Sequence, residues 1–375
     1  MLVVASLEIP CISQSAIQLN EEDVVKGGNA DVFRGELSVD GKPFPIPVAI
    51  KRVRIRIYGE ATRSLVEKAQ RDLIRELRIW SSLQKLSAPH PNLLPLLGVM
   101  ETSSGLLESV SEYCMGTLAS YLLSPSVGLK RIQLVCNYFG HTCTHKQHLV
   151  QMLDTLKGLT HMHGLSIIHG DLKSVNVLVT EGGIAKICDF GHSRYAEDIH
   201  QDQFGASDAS SSFQATPRYM CPEFFRSKKA RPTVFSDMWA FGCLALEILS
   251  QLQPYHTIKN DYDVPNAIQS GVVPSVKPEY PNAAGCLNDV LWGVVKQCWV
   301  TNPSSRPSSN AMLESIYNLM ARGLINPSAA TPERPGLVMD DELVPLPPGV
   351  KDFASESPGL RKELALGGKT VNIWA

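Results

Sequence analysis

The strongest chemical signal in the sequence lies in residues 169–176, which read H-G-D-L-K-S-V-N, and Asp189-Phe190-Gly191 follows thirteen positions after Asn176. Asp171 can orient an incoming hydroxyl group and accept its proton, while Lys173 can neutralise charge on a moving phosphoryl group. Asn176 and Asp189 carry side-chain oxygens, which are the ligands that Mg²⁺ prefers. This spacing predicts a site for a magnesium-bound nucleotide.

A second candidate pair lies upstream, where Lys51 ends the β-rich run V-A-I-K and Glu76 follows in a helical stretch. A lysine held by a glutamate can fix the α- and β-phosphates of a nucleotide. Each of the two residues alone reads better as an ordinary surface charge. The pair is therefore interpreted as a phosphate-binding pair only because residues 169–176 follow downstream.

The elements that must position these residues follow from the hydrophobic pattern. Residues 20–60 and 93–112 contain β-rich runs and turn signals, which predict strands. Residues 61–86 predict a helix. Its apolar face is formed by Leu65, Leu73, Leu77 and Trp80. After about residue 116 the chain is mostly helical, so an α+β fold with a small β-rich lobe and a larger helical lobe is predicted.

Composition narrows the function classes. The 375 residues are 44% hydrophobic, and 35 basic against 37 acidic side chains give a net charge of -2, so we expect no binding to nucleic acid or to an anionic membrane surface. Nine scattered cysteines argue against a disulfide framework and for a reducing compartment. The sequence shows neither a signal-peptide pattern nor an apolar run of about 18 residues, so we expect a soluble, cytoplasmic protein.

Taken together, the motifs resemble the eukaryotic protein kinase superfamily, over about residues 19–320. They stand in the family's order. They are the lysine Lys51, the helix glutamate Glu76, the H-x-D-x-x-x-x-N loop, D-F-G, Cys221-Pro222-Glu223, the D-x-W-x-x-G stretch from Asp237, and Arg306, whose partner in the family is the glutamate Glu223. The resemblance implies a bilobal kinase fold with an N-lobe at about 19–112 and a C-lobe at about 116–322.

The resemblance also implies an activity, which is transfer of the γ-phosphoryl group of ATP to hydroxyl groups of protein substrates. Asp171 is then the catalytic base, and Lys173 stabilises the transferring charge. The implied cofactors are ATP and Mg²⁺. ATP would be positioned by Lys51 and Glu76, and Mg²⁺ would be bound by Asn176 and Asp189.

Residues 90–99 resemble the tyrosine-kinase-like group of Ser/Thr kinases, and two residues bear on the acceptor. Lys173 follows the Ser/Thr pattern, and so does Thr216, whose hydroxyl can bond both Asp171 and Lys173. Serine and threonine are therefore the expected acceptors, with dual specificity left open.

The implied nucleotide pocket is apolar with polar groups at its edge. Its predicted residues are Val25, Gly27 and Gly28 in the phosphate loop, Val32, Ala49 and Leu178 around the ring, and Ser111, Glu112 and Cys114 at the gatekeeper and hinge. The family's regulatory spine falls on Trp80, Leu96, His169 and Phe190. Of the three positions that carry glycine in the family's phosphate loop, only position 27 is glycine here, so nucleotide binding is expected to be weaker.

Two further departures affect the catalytic loop. Gly170 replaces the arginine that pairs with an activation-loop phosphate in the family, so activity is not expected to depend strictly on such a phosphate. Residues 135–147 interrupt a long helical pattern that runs into the loop. This insertion could be a surface loop, a Zn²⁺ site or a retained intron read in frame, and the last is favoured. The candidate Zn²⁺ ligands are Cys136, His141, Cys143, His145 and His148.

Outside the predicted domain, residues 1–18 form an N-terminal extension. Residues 323–375 form a proline-rich tail, which is predicted to be disordered and could dock a partner. The main alternative function is a pseudokinase that acts as an ATP-binding or scaffold module, favoured by the weak glycine loop and the insertion. A small-molecule kinase on the same fold is a third class.

Overall fold

The structure is a computed structural model, which describes residues 6–27, 30–39, 41–54, 62–85, 89–103, 105–122, 145–200, 217–227, 230–276 and 288–325. They form two compact units, the first from the described parts of 6–90 and 94–114, the second from those of 91–93 and 115–325. A five-stranded sheet and a long helix make up the first unit, and the second is mainly helical. The predicted α+β fold, with a β-rich first lobe and a helical second lobe, is confirmed.

The sheet of the first unit is antiparallel, with strand order β1-β2-β3-β5-β4. Its strands are β1 (Ile17–Lys26), β2 (Ala30–Leu37), β3 (Ile46–Val53), β4 (Leu96–Glu101) and β5 (Leu107–Glu112). Alternation along β3 buries Val48 and Ile50 in an apolar cluster and leaves Ala49 and Lys51 on the opposite face. One face of the sheet therefore serves the core, and the other can carry chemistry.

Helix α1 (Thr62–Ser82) forms where the sequence predicts a helix. Leu73, Leu77 and Trp80 are buried, and the indole Nε1 of Trp80 donates a hydrogen bond to the carbonyl of Leu94 at 2.6 Å. The prediction was wrong for Leu65, which is 42% exposed. Among the described side chains of the helix, burial begins only at Leu73.

The residues before β1 pack against the sheet. We call residues 6–16 the N-terminal segment. Its Ile9, Ile12 and Ala16 are buried, and Ile12 and Ala16 join the same apolar cluster as Val48 and Ile50. Much of the predicted N-terminal extension is thus in contact with the sheet.

The second unit is built around helix α5 (Val234–Ser250), which is buried along most of its length. Thr233 caps its first turn reciprocally with Ser236. The other helices are α2 (Leu118–Leu122), α3 (His145–Gly164), α4 (Glu223–Arg226), α6 (Val264–Gln269), α7 (Asp289–Val295) and α8 (Ser309–Ala321). The strands are β6 (Gly116–Thr117), β7 (Ile167–Ile168), β8 (Val177–Val179), β9 (Ala185–Ile187) and β10 (Arg194–Tyr195), paired as β6-β8-β9 and β7-β10.

Some predicted features lie outside the described residues. They are Gly28, Thr216, most of the insertion at 135–147 and the tail beyond residue 325. Helix α3 begins at His145, within the last three residues of the predicted insertion. In the part of the chain that the structure describes, no helix combines the length and the apolar character needed to cross a bilayer.

A buried arginine ties helix α4 to the centre of the second unit. Arg306 binds both carboxylate oxygens of Glu223, at 2.7 and 2.8 Å, and its side chain is fully buried. Its remaining N–H groups reach the carbonyls of Phe235 and Val300, both at 2.9 Å, and its guanidinium lies over Trp239. The family pairing expected for Arg306 is therefore present.

This pairing makes the stability of the second unit depend on pH. Burial alone would raise the pKa of Glu223, but the hydrogen bonds and charge of Arg306 outweigh it and hold the pKa below its ordinary value. The stabilisation is therefore complete above the ordinary carboxyl pKa of about 4.3 and is lost as the pH falls through the lowered value.

Replacing Arg306 should destabilise the protein strongly. Arg306→Met leaves Glu223 partly buried without a cation, and we expect the free energy of unfolding at pH 7 to fall by about 3–5 kcal/mol. Denaturant titration would measure the loss. Arg322→Met, at an exposed arginine, is the control and should change stability by less than about 0.5 kcal/mol. Equal losses in the two variants would contradict this view of the pairing.

Candidate active site

In the first unit, Lys51 on β3 meets Glu76 on α1. The ammonium Nζ lies 2.7 Å from Glu76 Oε1, and the two side chains are 27% and 8% exposed. Partial burial strengthens this ion pair relative to a surface pair and fixes the direction of the lysine. The predicted pair is therefore assembled.

The residues predicted to surround the nucleotide share the face of Lys51. Val32 lies opposite Lys51, and Ser111 lies opposite Ala49, in the strand register. Directly opposed residues of antiparallel strands project to the same face, so these four side chains line one surface. Glu112 instead pairs with Val48, and in the prediction it contributes through its backbone.

Gly27 closes the turn between β1 and β2. Its N–H donates to the carbonyl of Ala30 at 2.9 Å, and a Cβ at Gly27 would lie 2.8 Å from that oxygen. The exposed Val25 lies opposite Val32 and so extends the same surface. The turn therefore requires glycine at this one position.

In the second unit, several of the predicted site residues gather around Asp171. Its Oδ2 accepts hydrogen bonds from Lys173 Nζ at 2.8 Å and Asn176 Nδ2 at 3.0 Å. Asn176 Nδ2 also donates to the backbone carbonyl of Asp171 at 2.8 Å. A short 3₁₀ turn over Ser174–Asn176 folds the chain back so that these groups converge. The three side chains predicted from residues 169–176 thus meet at one carboxylate.

A buried carboxylate outside this loop holds the loop's backbone. Asp237 on α5 accepts the N–H of His169 at 2.8 Å and that of Gly170 at 2.9 Å, and it contacts His163 Nε2 at 3.0 Å. The other ring nitrogen of His163 lies 3.1 Å from Ser309 Oγ. The sequence identifies Asp237 as part of a family motif but predicts no contact for it. Nothing in the local sequence pattern indicates that His163 is its partner.

His169 links the loop to the segment that carries Asp189. Its Nε2 lies 3.1 Å from the carbonyl of Cys188, and its Nδ1 accepts the N–H of Asp171 at 3.2 Å. These partners assign the neutral tautomer with hydrogen on Nε2. Its ring meets Phe190 edge to face, with centroids 6.1 Å apart, so these two predicted spine residues are in contact.

The predicted metal ligands lie on adjoining segments. The N–H of Cys188 bonds the carbonyl of Asn176 at 2.9 Å, and Asp189 follows with a left-handed φ of 63°. The Nδ2 atom of Asn176 is bonded to Asp171. The other polar side-chain atom of Asn176, Oδ1, is therefore the one that could bind a metal ion. One carboxylate and one amide oxygen suit Mg²⁺, which takes few protein ligands and completes its shell with phosphates and water.

Two features beside Asp171 were not foreseen from the sequence. Nδ1 of His192 lies 3.9 Å from Asp171 Oδ2, beyond hydrogen-bond distance. Gly170 has φ +81°, and a Cβ there would lie 2.8 Å from the carbonyl oxygen of His192. Close approach of these two segments therefore favours glycine where the family usually has arginine.

A cavity of about 180 Å³ opens beside Lys173 in the second unit. The residues that line it include Leu122, Val175, Tyr219 and Glu247. The carboxylate of Glu247 accepts hydrogen bonds from Ser174 and Tyr219. Burial nevertheless raises the pKa of Glu247 above its ordinary value. The cavity therefore combines apolar side chains with a buried carboxylate beside Lys173.

The remaining predicted site residues are Leu178, Cys114 and Thr216. Leu178 lies on β8 and pairs with Thr117, in the second unit. Cys114 is a buried cysteine outside any disulfide, at the end of the first unit. Thr216 lies outside the described residues, so its proposed contacts stay predictions.

The family model described as "Protein kinase domain" matches residues 21–318. A LIM domain-containing serine/threonine-protein kinase of Dictyostelium discoideum is 29% identical over 80% of this chain and 40% of its own. Cell division control protein 7 of Schizosaccharomyces pombe is 26% identical over 79% of this chain and 23% of its own.

A third relative is ephrin type-B receptor 4b of Danio rerio, which is 27% identical over 87% of this chain and 30% of its own. The chain thus spans at most two fifths of the length of these curated relatives. The similarity lies in a region that each relative combines with further sequence.

Asp237→Asn should loosen the loop before Asp171. The amide side chain offers one acceptor oxygen where two backbone N–H groups need acceptors, and an unsatisfied buried group costs about 1–3 kcal/mol. We therefore expect the amides of His169 and Gly170 to exchange hydrogen at least about tenfold faster. Asp263→Asn, at an exposed aspartate, is the matched control. Unchanged exchange at both amides in Asp237→Asn would refute the anchoring role.

Proposed function

The chain belongs to the protein kinase family, and from that premise we propose that it transfers the γ-phosphoryl group of ATP to serine or threonine hydroxyls of protein substrates. The observation that carries the proposal is the convergence of Lys173 and Asn176 on Asp171 Oδ2, at 2.8 and 3.0 Å. A carboxylate held in this way can accept a proton from an alcohol, and the adjacent ammonium can stabilise charge on the phosphoryl group.

The nucleotide is proposed to be positioned by Lys51, which Glu76 directs, with its phosphates under the turn at Gly27. Adenine would lie against Val32 and Ala49 and bond the backbone from Glu112 to Cys114, and ring contact by Leu178 stays a prediction of the sequence. Asn176 and Asp189 would hold Mg²⁺, which, when bound, neutralises phosphate charge. Catalysis would then consist mainly of positioning and electrostatic stabilisation.

The acceptor preference rests on fewer residues. Lys173 and Thr216 favour serine and threonine, and one of the three relatives described above is named a serine/threonine-protein kinase. The relatives also include an ephrin receptor, so dual specificity stays open. The substrate chain is proposed to lie over the cavity that Tyr219 and Glu247 line.

Location and domain limits are part of the proposal. We propose a cytoplasmic site of action, because none of the six described cysteines is joined in a disulfide, as is expected in a reducing compartment. The kinase domain is proposed to span residues 19–322, with the proline-rich tail of residues 323–375 as a docking segment.

The alternative is a pseudokinase that binds ATP or acts as a scaffold, and the single matching glycine, Gly27, favours it. Five polar residues of the proposed machinery oppose it. They are Lys51, Glu76, Asp171, Asn176 and Asp189. Because phosphoryl transfer depends on such groups, we favour the active enzyme.

The proposed activity can be tested with labelled Mg²⁺-ATP and a generic protein substrate. Asp171→Asn removes the base and should lower transfer by at least about a hundredfold. Lys51→Met should also abolish most transfer, whereas Lys42→Met, at an exposed turn lysine, should not. Absence of transfer by the wild type would favour the pseudokinase, and transfer that persists in both site variants would indicate a contaminating kinase.

The acceptor residue can be read from the labelled product. Phosphoamino-acid analysis should find phosphoserine and phosphothreonine, because Lys173 and Thr216 follow the Ser/Thr pattern. Phosphotyrosine as the main product would contradict the proposed acceptor class while leaving the kinase activity intact.

A further inference from the structure

The N-terminal segment adds a short strand to the open edge of the sheet. β4 is the last strand in the sheet order, and residues 10–12 run beside it. Val99 N–H donates to the carbonyl of Pro10 at 2.9 Å, and Ile12 N–H donates to the carbonyl of Val99 at 2.8 Å. Gln14 Nε2 donates to the carbonyl of Glu101 at 2.8 Å. The segment therefore occupies the backbone groups of an edge strand.

The absence of a side chain at Gly98 on β4 leaves room for this segment. A Cβ at Gly98 would lie 2.6 Å from the carbonyl oxygen of Pro10 and 2.8 Å from Cδ1 of Ile12. The three nearest heavy atoms all belong to Pro10 and Ile12, and no positive φ requires glycine there. An alanine at this position is therefore compatible with the sheet but not with the docked segment.

The segment also closes the apolar face of the strand that carries Lys51. Ile12 and Ala16 pack in one cluster with Val48 and Ile50, which are fully buried. Val48 and Ile50 lie on the opposite face of β3 from Lys51, and Ile50 is its immediate neighbour in sequence. The packing that fixes β3 is therefore supplied in part by the segment.

A second connection runs from β4 to the helix that carries Glu76. Gln84, just after α1, exchanges hydrogen bonds with the N–H and carbonyl of Leu96 at 2.6 and 3.2 Å. Lys85 pairs with Glu8 of the segment at 3.3 Å, a half-exposed pair that adds little. The end of α1 and the segment thus hold the same strand.

We propose, resting on the kinase function proposed above, that the N-terminal segment is a positioning element for the Lys51–Glu76 pair. Docked, it fixes β3 from its apolar face and β4 from its open edge, and these strands in turn fix the lysine and the end of α1. Undocked, it leaves Lys51 less well held, so the phosphates of ATP are bound more weakly. The effect belongs to nucleotide binding and not only to stability.

Gly98→Ala in the full chain tests this positioning role, with Gly293→Ala as the matched control, because a Cβ at Gly293 would contact nothing within 4 Å. We expect Gly98→Ala to raise the KM for ATP of the folded protein about three- to tenfold. It should also speed hydrogen exchange of the β3 amides around Lys51. Gly293→Ala should change neither. An unchanged KM and unchanged exchange in folded Gly98→Ala would overturn the proposal.

Removal of residues 1–13 supplies a second background for the same substitution. If Gly98 acts only through the segment, Gly98→Ala should have no further effect on KM or exchange in the shortened chain. An equal effect in both backgrounds would overturn the proposal, because Gly98 would then act without the segment. If the wild type transfers no phosphoryl group, the proposed kinase function fails separately, and ATP affinity with hydrogen exchange still decides whether the segment positions Lys51.

Discussion

The buried carboxylate of Asp237 is the constraint on which the catalytic loop depends. It accepts the backbone N–H groups of His169 and Gly170, and because Asp237 and His169 are buried, such groups are costly to leave without an acceptor. These bonds fix the backbone that leads into Asp171. Lys173 and the amide of Asn176 both bond the carboxylate of Asp171.

In the first unit, the two faces of one sheet differ, because one face packs in the apolar core and the other carries Lys51. Val48 and Ile50 face the apolar cluster on one side of β3, and Lys51 lies on the other side with its partner Glu76. The position of β3 therefore depends on the packing against its apolar face. The N-terminal segment provides part of that support, which is why residues far from the nucleotide bear on how it is held.

Sequence reasoning worked best where the interacting residues are close together in the chain. Asp171 and Lys173 share one short loop, so their meeting could be predicted from spacing. The partners His163 and Asp237 are 74 positions apart, and Gln14 and Glu101 are 87 positions apart, so no local pattern could reveal them. Leu65 failed for a related reason, since helical periodicity predicts a face but not how far along the helix a neighbour covers it.

The central claim is that the groups around Asp171 act on the transfer step, and a single-turnover measurement with Lys173→Met tests it most directly. Rapid mixing of excess enzyme with labelled Mg²⁺-ATP and substrate gives the rate of phosphoryl transfer, and a parallel titration gives the affinity for Mg²⁺-ATP. The predicted result is a transfer rate lowered by about two orders of magnitude with an unchanged ATP affinity. An unchanged transfer rate would contradict the assignment of Lys173 and its carboxylate partner to catalysis.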